Sequence, residues 1–442
     1  MTRSPPAPPR IAMPALAKAY APLAIGLLVL LAVLIAVSPA LLIYDERYYM
    51  QASRILAASG SFDVLMHTRS DIAAGPLYPY LHVIASPLTG LAAPAIRYVN
   101  FACLLTTLAA IAWTLRSMGQ STPWLRATML LAVPMMWPTS GLALTELPAL
   151  ALVALAVALA GQGMVTASAS TRLGAFALSG LLAGIAITGR QTYLPALAGY
   201  ALLAFGERRL TVPALVALVL AGAAMAPMVL AWHGLTPPWQ TMVSQGLVPE
   251  YGVLAFVYLA TATVLIAPGF FRSVYTHPYL RWLMLAAVVA AILVCAVTGF
   301  RIAVASRVID KLPQLLQVPA QIGATVVMVS LAAAMVIAGL ANLSDLRRDR
   351  VFVLLVLLAL ALDGTAIAVS HQFSSRYVLA AFPFALLAVQ RWWTCDGWAV
   401  LRLGLGASLG LASLAAYYWN EPPEVPATSK VAVYSPPNAA RT

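Results

Sequence analysis

The sequence predicts an all-α polytopic membrane protein, and three observations carry that expectation. Hydrophobic residues make up 62% of the 442 residues and charged residues 9%, with a mean hydropathy of +0.88, a balance foreign to soluble globular domains. Apolar stretches recur from near the N-terminus to Tyr418, each close to the roughly 20 residues that a bilayer core about 30 Å thick demands. The basic residues fall between these stretches. Because the apolar runs are continuous and backbone groups in hydrocarbon must pair within their own segment, a helical bundle is favoured over a β-barrel.

The net charge of +12 does not read as a nucleic-acid surface, since the basic residues gather on no single face or tail. Arg116 and Arg126, Arg172, Arg208 and Arg209, Arg272 and Arg281, Arg347 to Arg350, then Arg391 and Arg402, recur at every second gap. That is the positive-inside pattern. Among 26 basic residues only Lys18, Lys311 and Lys430 are lysines, which points to a GC-rich genome and so a bacterium. Cys103, Cys295 and Cys395 lie in or at the ends of apolar spans, without disulfide or zinc spacing.

Residues 1–21 read as a cytosolic tail, 22–418 as one membrane domain, and 419–442 as a Pro-rich, disordered outer tail. The first span is expected at 22–43, held inside by Arg3, Arg10 and Lys18. Further spans are expected near 98–115, 127–138, 144–159, 174–188, 193–205, 212–231, 251–271, 282–298, 318–340, 351–369, 377–389 and 400–418, about 13 in all. Between the first two spans lies a long outer loop, 44–97, with too many polar interruptions to cross. Its segments 45–58 and 79–88 have the spacing of helices lying on the membrane surface.

Asp45 and Glu46 stand where the first helix leaves the bilayer. A carboxylate there can act as general base on a hydroxyl, and an acid at the start of a helix can equally cap it. The loop also carries Asp71, Tyr78 and His82, with Gly75-Pro76-Leu77-Tyr78-Pro79 as a turn into its second helix. Aromatic rings at that level also suit the headgroup belt. Thr188-Gly189-Arg190-Gln191-Thr192 places an arginine on the outer side, where it needs a phosphate or a structural partner such as Glu146. Arg376, after His371-Gln372-Phe373-Ser374-Ser375, repeats the situation, and Asp363 within an apolar run is expected to pair with one of these arginines.

In this order the motifs resemble the GT-C membrane glycosyltransferases that use lipid-phosphate sugars. In that family a first helix ends in an acidic pair, followed by a long outer loop with two surface helices. Asp45-Glu46, Gly75-Pro76-Leu77-Tyr78 and Arg190-Gln191-Thr192 are most similar to the α-1,2-glucosyltransferases using dolichyl-phosphate glucose. The proline-containing loop also resembles protein mannosyltransferases and aminoarabinose transferases, but Ala74 and Gly75 stand where those carry a lysine before the proline. The resemblance implies catalysis at Asp45 and Glu46, with Asp45 as base and inversion at the anomeric carbon. Arg190, Gln191 and Arg376 would bind the donor phosphate, and Asp71, Tyr78, His82 and Glu146 would contact donor or acceptor. The implied partners are a polyprenyl-phosphate sugar, a glycan, lipid or protein acceptor, and membrane lipids; a divalent metal is an open possibility. The implied place is a bacterial inner membrane with the site facing the periplasm, or the ER lumen in a eukaryote.

A transporter or flippase of lipid-linked substrates is the alternative. Its ionisable residues should gather at the bilayer midplane, whereas most here sit at outer helix ends. A cysteine introduced at Ser61 is expected to react with impermeant reagents only from the outer side, and modification from the cytosolic side alone would overturn the assigned topology.

Overall fold

The computed structural model describes residues 15–68, 73–240, 246–298, 302, 309, 312–343, 349–369, 373–394 and 397–420. Among them there are helices and turns and no strand. Both tails beyond residues 15 and 420, and Asp71, Arg347, Arg348, His371 and Gln372, lie outside the described residues.

The chain opens with α1 (Ala15–Ala36) and then carries three short helices, α2 (Glu46–Ser59), α3 (Phe62–His67) and α4 (Leu77–Thr89). Helices α2 and α4 fall where the loop was expected to be helical, and α3 is an additional one. Gly60 closes α2 in the left-handed region at φ 62°, a conformation that costs glycine nothing. Next come α5 (Arg97–Ser117), α6 (Pro123–Ala127), α7 (Met136–Gly141), α8 (Glu146–Val165), α9 (Ala169–Gly189), α10 (Ala196–Gly206) and α11 (Thr211–Trp232). The rest is α12 (Pro249–Ile266), α13 (Arg272–Thr276), α14 (Pro278–Thr298), α15 (Gln314–Ala341), α16 (Arg350–Gly364), α17 (Phe382–Val389) and α18 (Gly397–Asn420). Helix starts follow ordinary chemistry: Ser168 accepts from Thr171 N ahead of α9, and Asp349 from Phe352 N ahead of α16.

Nine helices among the described residues are long and apolar enough to cross a membrane, and the expected count of about 13 spans is not confirmed. Four expected spans lie outside the nine: the first, whose apolar part Tyr20–Ala36 is shorter, and three others. Segment 127–138 is a 3-10 turn followed by the six-residue α7, 193–205 is the eleven-residue α10, and 377–389 is mostly the eight-residue α17. The first helix ends at Ala36, short of the expected residue 43.

The broken segments are tolerated because they run through the protein interior. Residues 127–133 and 136–151 are almost entirely buried, as are 378–390. Where the helix ladder stops, side chains satisfy the backbone: Asn100 Nδ2 donates to Thr139 O (3.0 Å) and Leu144 O (2.8 Å), Tyr418 OH to Gly141 O (2.5 Å), Tyr78 OH to Ala143 O, and Trp137 Nε1 to Leu131 O (2.9 Å). Non-helical backbone survives at membrane depth only under such cover. Arg126 Nη1 ties the start of the first broken segment to Gln390 at the end of the second, 2.9 Å to Oε1. Beside them, α9 and α11 approach backbone to backbone. A Cβ on Gly180 would stand 2.1 Å from Ala217 O, the close small-residue contact by which helices associate in lipid.

Candidate functional site

Asp45 and Glu46 are neighbours in sequence with opposite environments. Glu46 is fully buried and meets Arg97 side-on, Oε1 to Nε at 2.9 Å and Oε2 to Nη2 at 2.8 Å. Its oxygens also accept from Ala143 N (2.8 Å) and Ile43 N (2.9 Å). Arg97 donates in addition to Ser38 Oγ, Pro39 O and Leu41 O. Each Glu46 oxygen thus accepts two hydrogen bonds from the protein.

Asp45 is the first residue of the α2 turn but makes no capping hydrogen bond. Its Oδ2 instead lies 2.6 Å from Arg376 Nη2, with a quarter of the side chain still exposed. Arg376 precedes α17, and its Nε sits 3.5 Å from Glu146 Oε1 at the start of α8. Arg190, at the end of α9, places Nη1 3.4 Å from the same oxygen and donates to Thr145 Oγ1 (3.1 Å). Four charged groups from four separated segments therefore converge. Both Glu146 oxygens and Arg376 Nε and Nη1 are buried without a hydrogen-bond partner in the structure, a costly state for charged groups.

Aromatic rings enclose this cluster. The Arg376 guanidinium lies 5.3 Å from the Tyr44 ring and 5.6 Å from Tyr377, and Arg190 is 5.9 Å from Tyr377. Tyr49 belongs here too: burial raises its hydroxyl pKa, partly opposed by Arg376. Burial alone would weaken Arg376 as a cation, but Glu146, Tyr49 and Asp45 outweigh it and hold the charge.

The two loop motifs meet. A Cβ on Gly75 would lie 2.0 Å from Thr188 O, and one on Gly189 2.6 Å from the Leu77 side chain, so the chain at 75–77 is pressed against the end of α9. Gln191 Nε2 donates to Ala73 O (3.0 Å), fastening the loop beside Arg190. Tyr78 is buried between Tyr49 (5.5 Å, edge-on) and His82 (3.8 Å). His82 Nδ1 is 3.4 Å from Ser53 Oγ, its Nε2 lacks a partner, and burial lowers its pKa to about 3.

Asp45, Glu146, Arg190 and Arg376 are thus brought together, with Gln191, Tyr78 and His82 in the layer behind them and Glu46 turned away into its own ion pair. Asp363 corrects an expectation. It is buried in α16 with Oδ1 unpartnered and forms an ion pair with neither Arg190 nor Arg376, because both arginines are drawn to Glu146. Tyr44, Tyr49, Tyr377 and Arg97 were not singled out. Arg97 lies 51 residues from Glu46, beyond any local pattern. Among the described residues no three His, Cys, Asp or Glu side chains gather as a metal site.

Neither a family model nor a curated protein sequence matches the chain. The structure is similar to two crystal structures of ArnT from Cupriavidus metallidurans. For the one bound to undecaprenyl phosphate the TM-score is 0.44 at 15% identity, covering 92% of this chain and 79% of that one. For the apo state the TM-score is 0.43 at 15% identity, covering 90% and 78%.

Two outcomes follow from this geometry. Glu46→Gln keeps the shape but strips Arg97 of its buried counter-charge, and is expected to cost about 3 to 5 kcal/mol in thermal melts of the solubilised protein; a parental melting curve would refute the clamp. His82 binds its proton more weakly when folded, so the unfolded chain takes up that proton first as pH falls. Its contribution is complete above about pH 6.5 and declines towards about pH 3, at roughly 1.4 kcal/mol per unit. His82→Phe is expected to flatten this acid limb of stability against pH, and an unchanged limb would assign it to other groups.

Proposed function

We propose that this protein is an inverting glycosyltransferase that moves a sugar from a polyprenyl-phosphate carrier to a hydroxyl acceptor on the outer face of a membrane. The observation that carries the reading is the charged cluster: an aspartate not spent on capping and paired with Arg376, whose buried Nε and Nη1 lack hydrogen-bond partners, with Arg190 joined to it through Glu146. A departing phosphate offers the acceptor oxygens that the Arg376 guanidinium lacks.

In the proposed reaction the acceptor O–H passes its proton to Asp45 as its oxygen bonds to the anomeric carbon. The bond from that carbon to the phosphate oxygen breaks on the opposite side, and the polyprenyl phosphate leaves with the electron pair. Arg376 and Arg190 meet the charge that grows on the phosphate, in surroundings where Tyr44, Tyr49 and Tyr377 keep water sparse. Arg376 touches Asp45 as well, so one guanidinium couples base and leaving group.

Glu46 then acts as a positioning residue, holding the turn from which Asp45 projects. Gln191 fastens the loop, Tyr78 and His82 pack beneath it, and Asp71 remains a proposed contact of the same loop. The membrane is proposed to be a bacterial inner membrane with the cluster facing the periplasm. Transport of lipid-linked substrates is the second reading, favoured by one observation: Asp363, a carboxylate buried in a membrane-length helix with an unpartnered oxygen.

Asp45→Asn retains shape and hydrogen-bond acceptance but cannot take the proton. Transfer from synthetic polyprenyl-phosphate sugars is expected to fall about 10² to 10⁴-fold at unchanged thermal stability, and Arg376→Ala to lower turnover more than acceptor affinity. Full activity in Asp45→Asn would end the base assignment, and no transfer by the parent from any such donor would favour transport.

A further inference from the structure

The helices enclose a large cavity at the end of the bundle away from the Asp45 cluster. It holds about 350 Å³ and is walled by α5, α8, α10 and α16. Its depth is apolar, with Val153, Val157, Leu203, Leu355 and Leu358 among its walls. Polar side chains collect at one mouth: Ser117 at the end of α5 and Gln120 just after it, Asp349 before α16, and Gln390 after α17.

Two glycines show independently that the space is unfilled. Gly161 on α8 and Gly199 on α10 both line it, and a Cβ added to either meets nothing within 4 Å. Protein interiors are otherwise close-packed, and an apolar cavity does not hold water. Since α5, α8 and α16 are of membrane-crossing length, the medium that can fill the space is lipid hydrocarbon.

The mouth indicates which way round the lipid sits. Arg116 is exposed at the end of α5, Arg126 donates to Gln390, and Arg350 adjoins Asp349 and donates to Gly206 O (3.2 Å). These arginines belong to the basic gaps that the positive-inside rule places at the cytosol. A chain entering here has its phosphate at the opposite end from Arg190 and Arg376, which separates it from the sugar carrier.

We propose that this cavity binds one acyl chain of a phospholipid from the arginine-bearing leaflet, with the phosphate at the mouth near Arg116, Arg126 and Arg350. The inference stands independently of glycosyl transfer.

The test uses the full-length protein extracted from membranes in mild detergent. Native mass spectrometry with lipid extraction is expected to find about one retained phospholipid per chain. Phospholipid added to delipidated parent should raise its melting temperature. Gly161→Phe and, separately, Gly199→Leu should retain none and lose that response while melting at or above the delipidated parent, since the new side chains fill space. Equal retention in the filled variants, or neither retention nor thermal response in the parent, overturns the proposal. Retention of a polyprenyl phosphate instead overturns it as well and assigns the cavity to the carrier.

Discussion

The buried ion pair of Glu46 and Arg97 is the constraint on which the half of the molecule around the Asp45 cluster rests. A carboxylate and a guanidinium without solvent contact are tolerable only when every remaining donor and acceptor is met. Meeting them gathers five pieces of chain: the exit of α1 through Ser38, Pro39 and Leu41, the turn at Ile43, the first turn of α2, the first turn of α5, and the break at Ala143 between α7 and α8. Tyr418 of α18 closes the group, its ring 5.0 Å from the Arg97 guanidinium and its hydroxyl on Gly141 O. Asp45 inherits its direction from this clamp, because the residue after it cannot move.

Close backbone contact does the corresponding work on the far side of the cluster. With no Cβ at Gly75, the loop can rest on Thr188 O, and Gln191 reaches back to Ala73 O. Arg190 is thereby held beside the loop that leads to Tyr78. Opposite it, Arg376 arrives at the head of a segment that never forms a long helix. Broken helices of this kind give a membrane protein polar side chains at chosen depths, provided the interrupted backbone finds partners as it does through Asn100, Tyr78 and Tyr418.

The two ends of the bundle consequently differ in kind. One gathers two arginines and two carboxylates among tyrosines, with buried donors and acceptors unspent. The other presents arginines around the mouth of an apolar cavity. The first concentrates charge among aromatic rings, and the second offers an apolar space with a basic rim.

By itself the sequence determined that the chain is helical and membrane-embedded, since hydrocarbon leaves the backbone few other solutions. It also marked Asp45, Arg190, Arg376 and Glu146 as polar residues at helix ends, because charge beside an apolar run is conspicuous. Three matters were decided only by tertiary structure. Adjacent acids on a helix point about 100° apart, so which of Asp45 and Glu46 is sealed in an ion pair depends on where Arg97 arrives. The apolar runs at 127–138 and 377–389 read alike whether they form one helix or several, because burial by neighbours, not composition, permits the breaks. Asp363 was matched to an arginine by charge alone, yet helix packing buries it with an oxygen unpartnered while Glu146 holds both candidates, because the neighbours of a side chain are set by how its helix faces the bundle.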